Sequence, residues 1–434
     1  MSSSKFEEYL SKVTSKVKSK EAHGMIKKEL RNHMVELRQS FLERGSSKED
    51  ADEKALQEMG NPFTIGKNLN HLHKPKMDWL LIVLFVIFVG ISFLPLIGGV
   101  SIPSFSFLGR QVVWIILAIL VLVGFLFFDY RKLKNLWVYF YGAGIILFFT
   151  THLAGMEVNG AKRWVSFGGI TIDVTAISLF LFFIAWAGIF AKMNEFKGWK
   201  KQGMLLILFW TPVLLYIMLP QFMFSIIYFF CVVAMYIFSY IHKKSAIKVA
   251  MGNLLIGIIL ISAMLLNSRT SYFFDRLIAF VNPDTDPDGA GYMSIVVKDI
   301  LSQAGWFGKG LSNDLKLPEA HTDFVFPFLV YSLGWAFGII LCLLLFVFIL
   351  RISLNALKAK DIFGRLLAIG GAALFIVPTC WNILMGLGMV PIMEVPLPFI
   401  SYGGSMLLVY SAILGLILNV YLKKDMVEPM MVNE

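Results

Sequence analysis

Charge is scarce in this chain. Of its 434 residues only 16% are Asp, Glu, Lys or Arg, against about 25% in an ordinary globular domain, while 57% are hydrophobic, with 39 Phe. Apolar runs longer than a dozen residues recur after residue 78, which excludes a soluble enzyme. Cysteine is nearly absent. Cys231, Cys342 and Cys380 all fall inside apolar runs with no partner at metal-ligand or redox spacing, so they read as small core residues. The cores of the apolar runs lack Asp, Glu, Lys and Arg altogether, and the nearest titratable group is His152, near the end of the third run. Ion-coupled transporters and pumps need buried carboxylates or histidines. An interfacial hydrogen-bonding role for His152 is the simpler reading. The net charge of +10 does not indicate nucleic acid, because the 39 Lys and Arg are dispersed in short clusters between the runs.

What is present is a repeated membrane-spanning pattern. Apolar stretches lie near 78–99, 112–128, 136–153, 174–191, 203–219, 221–241, 249–267, 324–349, 366–389 and 399–421. They predict an all-α integral membrane protein with ten transmembrane helices over residues 74–434, preceded by a small cytoplasmic helical domain, 1–73. Eighteen Lys and Arg between Lys74 and Lys424 fall on one side of the membrane, against Arg110, Lys162 and Arg163 in the short loops of the other. That asymmetry predicts a multi-pass protein of the bacterial cytoplasmic membrane with both termini in the cytoplasm. It also puts the long loop 268–323 outside. In the first 73 residues 13 Lys and Arg nearly cancel 11 Asp and Glu. Gly45 as a helix end, a capping box of Ser46 with Glu49, and Gly60 followed by Pro62 as a stop predict about three short helices. The polar stretch from Pro62 to Pro75 reads as a linker, and the polar N-terminus as neither signal peptide nor transit sequence.

The long loop gathers most of the titratable residues of the outer side. Asp284, Asp286 and Asp288 before Gly289 imitate the start of a calcium loop. Ile295 stands where the bidentate Glu is required, and a proline-and-glycine turn is the expectation. The segment Leu317–Phe324 puts Asp323 where the chain re-enters the membrane. A half-desolvated carboxylate there has the environment of a general base. Spacing alone leaves a second reading open, in which Thr322 or Asp323 caps the following helix.

These pieces bring the chain close to a known family. Gly109-Arg110-Gln111, Asp129-Tyr130-Arg131, Asn159 to Trp164, Arg276 with Asn282-Pro283-Asp284 through Tyr292, Gly308-Lys309-Gly310-Leu311, Leu317 to Phe324, and Leu397 to Ser405 occur in order. In this the chain resembles the SEDS family (shape, elongation, division and sporulation), the integral-membrane polymerases of the RodA, FtsW and SpoVE type. The resemblance implies a peptidoglycan glycosyltransferase that polymerises lipid II, the disaccharide-peptide carried on undecaprenyl pyrophosphate, in cell division, elongation or sporulation. It implies Asp323 as the catalytic base, accepting the proton of a sugar 4-hydroxyl as that oxygen attacks the anomeric carbon of the growing chain. It places substrate contacts on Arg110, Lys162, Arg163, Trp164, Arg276, Lys309, Lys316, Glu319, His321 and Ser401. The basic residues among them, Arg276 and Lys309 first, are the donors for the leaving pyrophosphate. For these residues snorkelling to lipid headgroups, and for Trp164 an interfacial belt position, stay open as alternatives. No tightly bound cofactor and no protein metal site are expected, with a divalent cation at the substrate pyrophosphate as an option. The implied partners are lipid II, a class B penicillin-binding transpeptidase and membrane lipids, and no nucleic acid. Residues 29–70 separately resemble the helical prefix domain of some bacterial permease-like proteins, which suggests an interaction or regulatory module.

The chain also departs from the family pattern. Asp173 to Leu179 replaces a Gln-Pro-Ser-Glu sequence with a Lys three residues later, Pro220 to Met223 replaces Pro-Asp-Leu-Gly, and Met393-Glu394 stands where Thr-Gly is expected. Loss of both the Glu and the Lys fits removal of an intramembrane ion pair. These departures keep a second function open, a weakly active or inactive paralogue that binds lipid II or a transpeptidase as a regulator. A flippase or transporter is disfavoured by the missing intramembrane charges.

Overall fold

The computed structural model describes residues 4–424 apart from 21, 73–76, 99–103, 159–160, 168–169, 197, 240–250, 254, 258, 260–270 and 312–316. It divides into two compact units. One comprises Met1–Asp78 with the short stretches Lys358–Asp361 and Val420–Glu434, and the other Trp79–Leu357 with Ile362–Asn419.

Four helices build the N-terminal part of the first unit: α1 (Ser4–Ser15), α2 (Ala22–Glu43), α3 (Lys48–Met59) and α4 (Pro62–Leu72). Phe6, Leu10, Val13, Val17, Ile26 and Met34 form their shared core, with Ile65 and Leu69 of α4 packed against it. The expectation of three helices and a linker from Pro62 is therefore corrected. Proline at the first helical position needs no N–H, and Asn61 Oδ1 accepts from the N–H groups of Phe63 and Thr64. α4 packs so closely on α1 that a Cβ on Gly66 would collide with Val13. The cap of α3 also differs by one residue. It is Ser47, whose hydroxyl accepts from Asp50 N–H at 3.2 Å, while Ser46 takes a hydrogen bond from Lys54.

The second unit carries α5 (Trp79–Ile91), α6 (Leu94–Gly98), α7 (Ser104–Phe127), α8 (Trp137–Ala154), α9 (Val174–Ala191), α10 (Trp199–Met218), α11 (Phe222–Ser239), α12 (Ser271–Val281), α13 (Tyr292–Gln303), α14 (Val325–Leu357) and α15 (Ile362–Gly386). The last helix, α16 (Gly404–Lys423), begins here. Among the described residues nine helical stretches are long and apolar enough to cross a membrane, α5 and α6 counting as one. The seventh expected span, 249–267, lies largely outside the described residues. α9, α15 and α16 bury most of their surface and form the centre, while α7 and α8 keep broad apolar faces exposed, as lipid-facing helices do. The helix expected from residue 112 starts at Ser104, so Arg110 sits on α7 and not in a loop. The loop 268–323 is partly helical, through α12 and α13.

Two further features were not expected. An antiparallel sheet of β1 (Met156–Val158), β2 (Ala161–Phe167) and β3 (Ile170–Asp173) joins α8 to α9. β1 and β3 are too short to show a periodic signal, and in β2 the adjacent pairs Lys162-Arg163 and Trp164-Val165 break the alternation. The second is a break in α14 at Gly334 (φ 89°, ψ 168°). Trp335 and Ala336 donate instead to the carbonyls of Gly305 and Trp306, and Lys309 and Gly310 donate to those of Tyr331 and Ser332. The 305–310 segment thus supplies partners that the interrupted helix lacks. A Cβ on Gly308 or Gly334 would collide with the backbone of the other segment, which explains Gly308 of the Gly308-Lys309-Gly310 motif, while Gly310 is required by its left-handed backbone (φ 89°).

Candidate active site

Two irregular segments, 317–324 before α14 and 387–403 before α16, meet in the interior of the membrane unit. Buried backbone outside helices must find partners, and here the two segments satisfy each other. The Asn382 amide donates to the carbonyls of Asp323 (2.8 Å) and Val395 (2.7 Å). Ser401 donates its hydroxyl to Thr322 O (2.5 Å) and accepts from Leu397 N–H (2.8 Å), and Tyr402 N–H donates to His321 O (2.7 Å). Glu319 (φ 52°) and Phe399 (φ 63°) hold left-handed conformations in these segments, the kind of local strain that collects at functional sites.

Between them opens a cavity of about 510 Å³, walled by Asp323, Glu319, Glu394, Asp173, Arg163 and Arg276 among others. Asp323 is half-buried. Its carboxyl is pushed up to about 7, first by burial and then by the nearby Glu394 charge, against the opposing pull of Arg163 and a hydrogen bond from the Val395 backbone. A carboxyl so placed exchanges its proton near neutrality. Its main-chain carbonyl is held by Asn382, and Thr322 donates to the carbonyl and carboxylate of Glu319.

Arg163 occupies the opposite wall. Its guanidinium lies 4.3 Å from the centre of the Trp164 ring, bonds Glu394 Oε2 at 2.7 Å, and has Nε 3.1 Å from Asp173 Oδ2 without hydrogen-bond alignment. The sheet sets this up, since Trp164 pairs with Asp173 in the β2–β3 register. Asp173 also caps α9, accepting from Thr175 N–H (3.0 Å), Ala176 N–H (3.1 Å) and the Thr175 hydroxyl (2.5 Å). Arg276 lines the cavity and donates to Ile392 O at 2.7 Å.

The structure thus brings Asp323, Glu319, Arg163, Trp164, Arg276 and Ser401 to one cavity. His321 faces Phe107 and Tyr402, and burial lowers its imidazole below the ordinary range. Arg110 hydrogen-bonds Tyr402, which itself lines the cavity. Lys309 is exposed and is not part of the cavity wall. Lys162 lies on β2 opposite Glu157, and Lys316 is outside the described residues. Asp286 accepts from Ala290 N–H at 2.8 Å in a turn, and among the described residues no group of three His, Cys, Asp or Glu side chains is arranged to hold a metal ion. Sequence reasoning passed over Asp173, Glu394 and Asn382 as site residues. An Asp two residues before a Thr at the head of an apolar run is a cap signal for Asp173. A lone carboxylate inside the apolar stretch 390–400 was the signal for Glu394. Nothing local marks Asn382.

A family model described as cell cycle protein, covering FtsW, RodA and SpoVE, matches residues 75–425. The chain belongs to this family. All the cavity residues fall inside the match, and α1 to α4 precede it. A relative in Aliivibrio salmonicida, named probable peptidoglycan glycosyltransferase FtsW, is 27% identical over 388 residues, covering 82% of this chain and 94% of its own. Among solved structures, a peptidoglycan synthase complex described as coordinating polymerization and crosslinking contains a chain with TM-score 0.68 and 24% identity, covering 80% of this chain and 98% of that one. The rod shape determining protein RodA of Thermus thermophilus aligns with TM-score 0.59 at 22% identity, covering 80% and 97%. At these identities the structural likeness speaks for the fold. The chain is a multi-pass bacterial membrane protein.

Proposed function

We propose that this protein is a peptidoglycan glycosyltransferase that polymerises lipid II at the outer face of the cytoplasmic membrane. The observation that carries the reading is Asp323, a half-buried carboxyl pushed up to about 7 on the wall of a cavity that also presents Arg163 and Arg276. Asp323 takes the proton from the 4-hydroxyl of the incoming unit, that oxygen bonds the anomeric carbon of the growing chain, and the bond to the lipid pyrophosphate breaks. The two guanidiniums stabilise the departing anion. Any assisting divalent cation is held by substrate oxygens. Family membership and relatives named as glycosyltransferases support this chemistry, and the eighteen-to-three distribution of basic residues supports cytoplasmic termini with the cavity facing outward. The structural neighbour from a synthase complex supports a class B transpeptidase as partner. One observation favours a second reading, a regulator that does not polymerise: Arg163 is already engaged by two carboxylates. Incubating the purified full chain with lipid II, with and without candidate transpeptidases, separates the two. Glycan strands support the polymerase, and their absence with every partner supports the regulator.

A further inference from the structure

We infer that Glu394 is the exchangeable anion of this cavity: it holds Arg163 while the site is empty and gives way to the pyrophosphate of the substrate, which makes it a residue that sets how tightly the substrate anion binds. The inference rests on the polymerase reading and adds to it how an anion gains access to a cation that is already paired. The Arg163 side chain is only 13% exposed, and a guanidinium this deep keeps its charge and needs a counter-ion at all times. Its two partners are not equivalent. Asp173 is 5% exposed and fixed by three hydrogen bonds at the head of α9. Glu394 is 34% exposed and stands on the irregular 387–403 segment, with its bond to Arg163 at 2.7 Å. It is the partner that can leave without stranding a charge, because Asp173 stays behind and the Trp164 ring continues to hold the guanidinium from one side. The departing carboxylate moves into solvent, and the phosphate oxygens that replace it regain a charge-assisted bond of the same kind.

The second guanidinium belongs to the same arrangement. Arg276 is tied to the carbonyl of Ile392, two residues before Glu394, so both cations of the cavity contact one short stretch of chain. The consequence is competition for Arg163. An anionic ligand must displace a carboxylate already in place, which weakens the binding of a lipid pyrophosphate more than that of a monophosphate and leaves a neutral lipid unaffected.

The test is binding, read without catalysis. The full chain in nanodiscs is titrated with undecaprenyl pyrophosphate, undecaprenyl phosphate and undecaprenol, as wild type, as Glu394→Gln and as Glu394→Gly, with monodispersity and melting confirming that each variant folds. Loss of one competing charge at partly screened range predicts about 10-fold tighter binding of the pyrophosphate in both variants, a smaller gain for the monophosphate and none for undecaprenol. Equal pyrophosphate affinity in wild type and variants overturns the inference alone, as does an equal gain for undecaprenol, which would mark general loosening of the cavity. No pyrophosphate binding by any of the three proteins overturns the polymerase reading and the inference with it.

Discussion

Two aspartates line one cavity in opposite circumstances. Asp173 accepts two backbone N–H groups and a hydroxyl and faces a guanidinium. Asp323 has the Val395 backbone as its donor, and among the described residues no cation lies within ion-pair distance of it. The first environment fixes a carboxylate in place, while the second holds on to its proton until near neutrality. The same side chain is therefore structural on one wall and chemically poised on the other, and the number of donors and cations decides which.

The comparison breaks most visibly at Asp323. Asp323→Asn is expected to lower lipid II polymerisation by about 100-fold or more, the effect of removing a positioned base. Retained activity would remove Asp323 from the chemistry. The same variant is expected to melt higher. The folded chain holds the Asp323 proton up to about pH 7 against an ordinary 3.8, so the contribution of this group is fully present below that ordinary value and is lost as pH rises through 7. At pH 8 the neutral Asn removes a penalty on the order of 2 kcal/mol, discounted for the access to solvent that the cavity provides.

Asp173→Asn tests the other wall and should move stability in the opposite direction. Asparagine caps nearly as well as aspartate, so the loss comes from the buried pair with Arg163 and is expected to be about 3 kcal/mol in detergent melting. A melting temperature at or above wild type would show that the two aspartates are not differently held.

A finer test follows the pH dependence. If the ionised Asp323 is the working form, activity rises with pH through about 7. Glu394 is one of the charges that raises this value, so Glu394→Gln should move the acid limb to lower pH. An unmoved limb would mean that the titration reports another group. The smallest effect is expected at Thr322, whose hydroxyl donates within its own turn to Glu319. Thr322→Ala should cost about 1 kcal/mol or less and leave polymerisation near wild type, because it does not carry the proton.

Features that depend on neighbouring residues are legible along the chain. A span is legible because the bilayer requires about 20 consecutive apolar residues, and the stretch Leu317–Phe324 is legible as a motif because its residues are contiguous. Local cues were weaker at helix ends: Ser47 rather than Ser46 caps α3, and Pro62 opens a helix rather than a linker because the apolar face of α4 finds the core of α1 and α2. The rest comes from packing between distant segments. Arg163 and Glu394 are separated by 231 positions, and Asn382 reaches Asp323 across 59, so no spacing rule joins them. The short strands that carry Arg163 to Asp173 have no periodicity of their own. Whether a carboxylate is paired, capped or left to hold its proton depends on the groups that packing brings around it, and those come from distant parts of the chain.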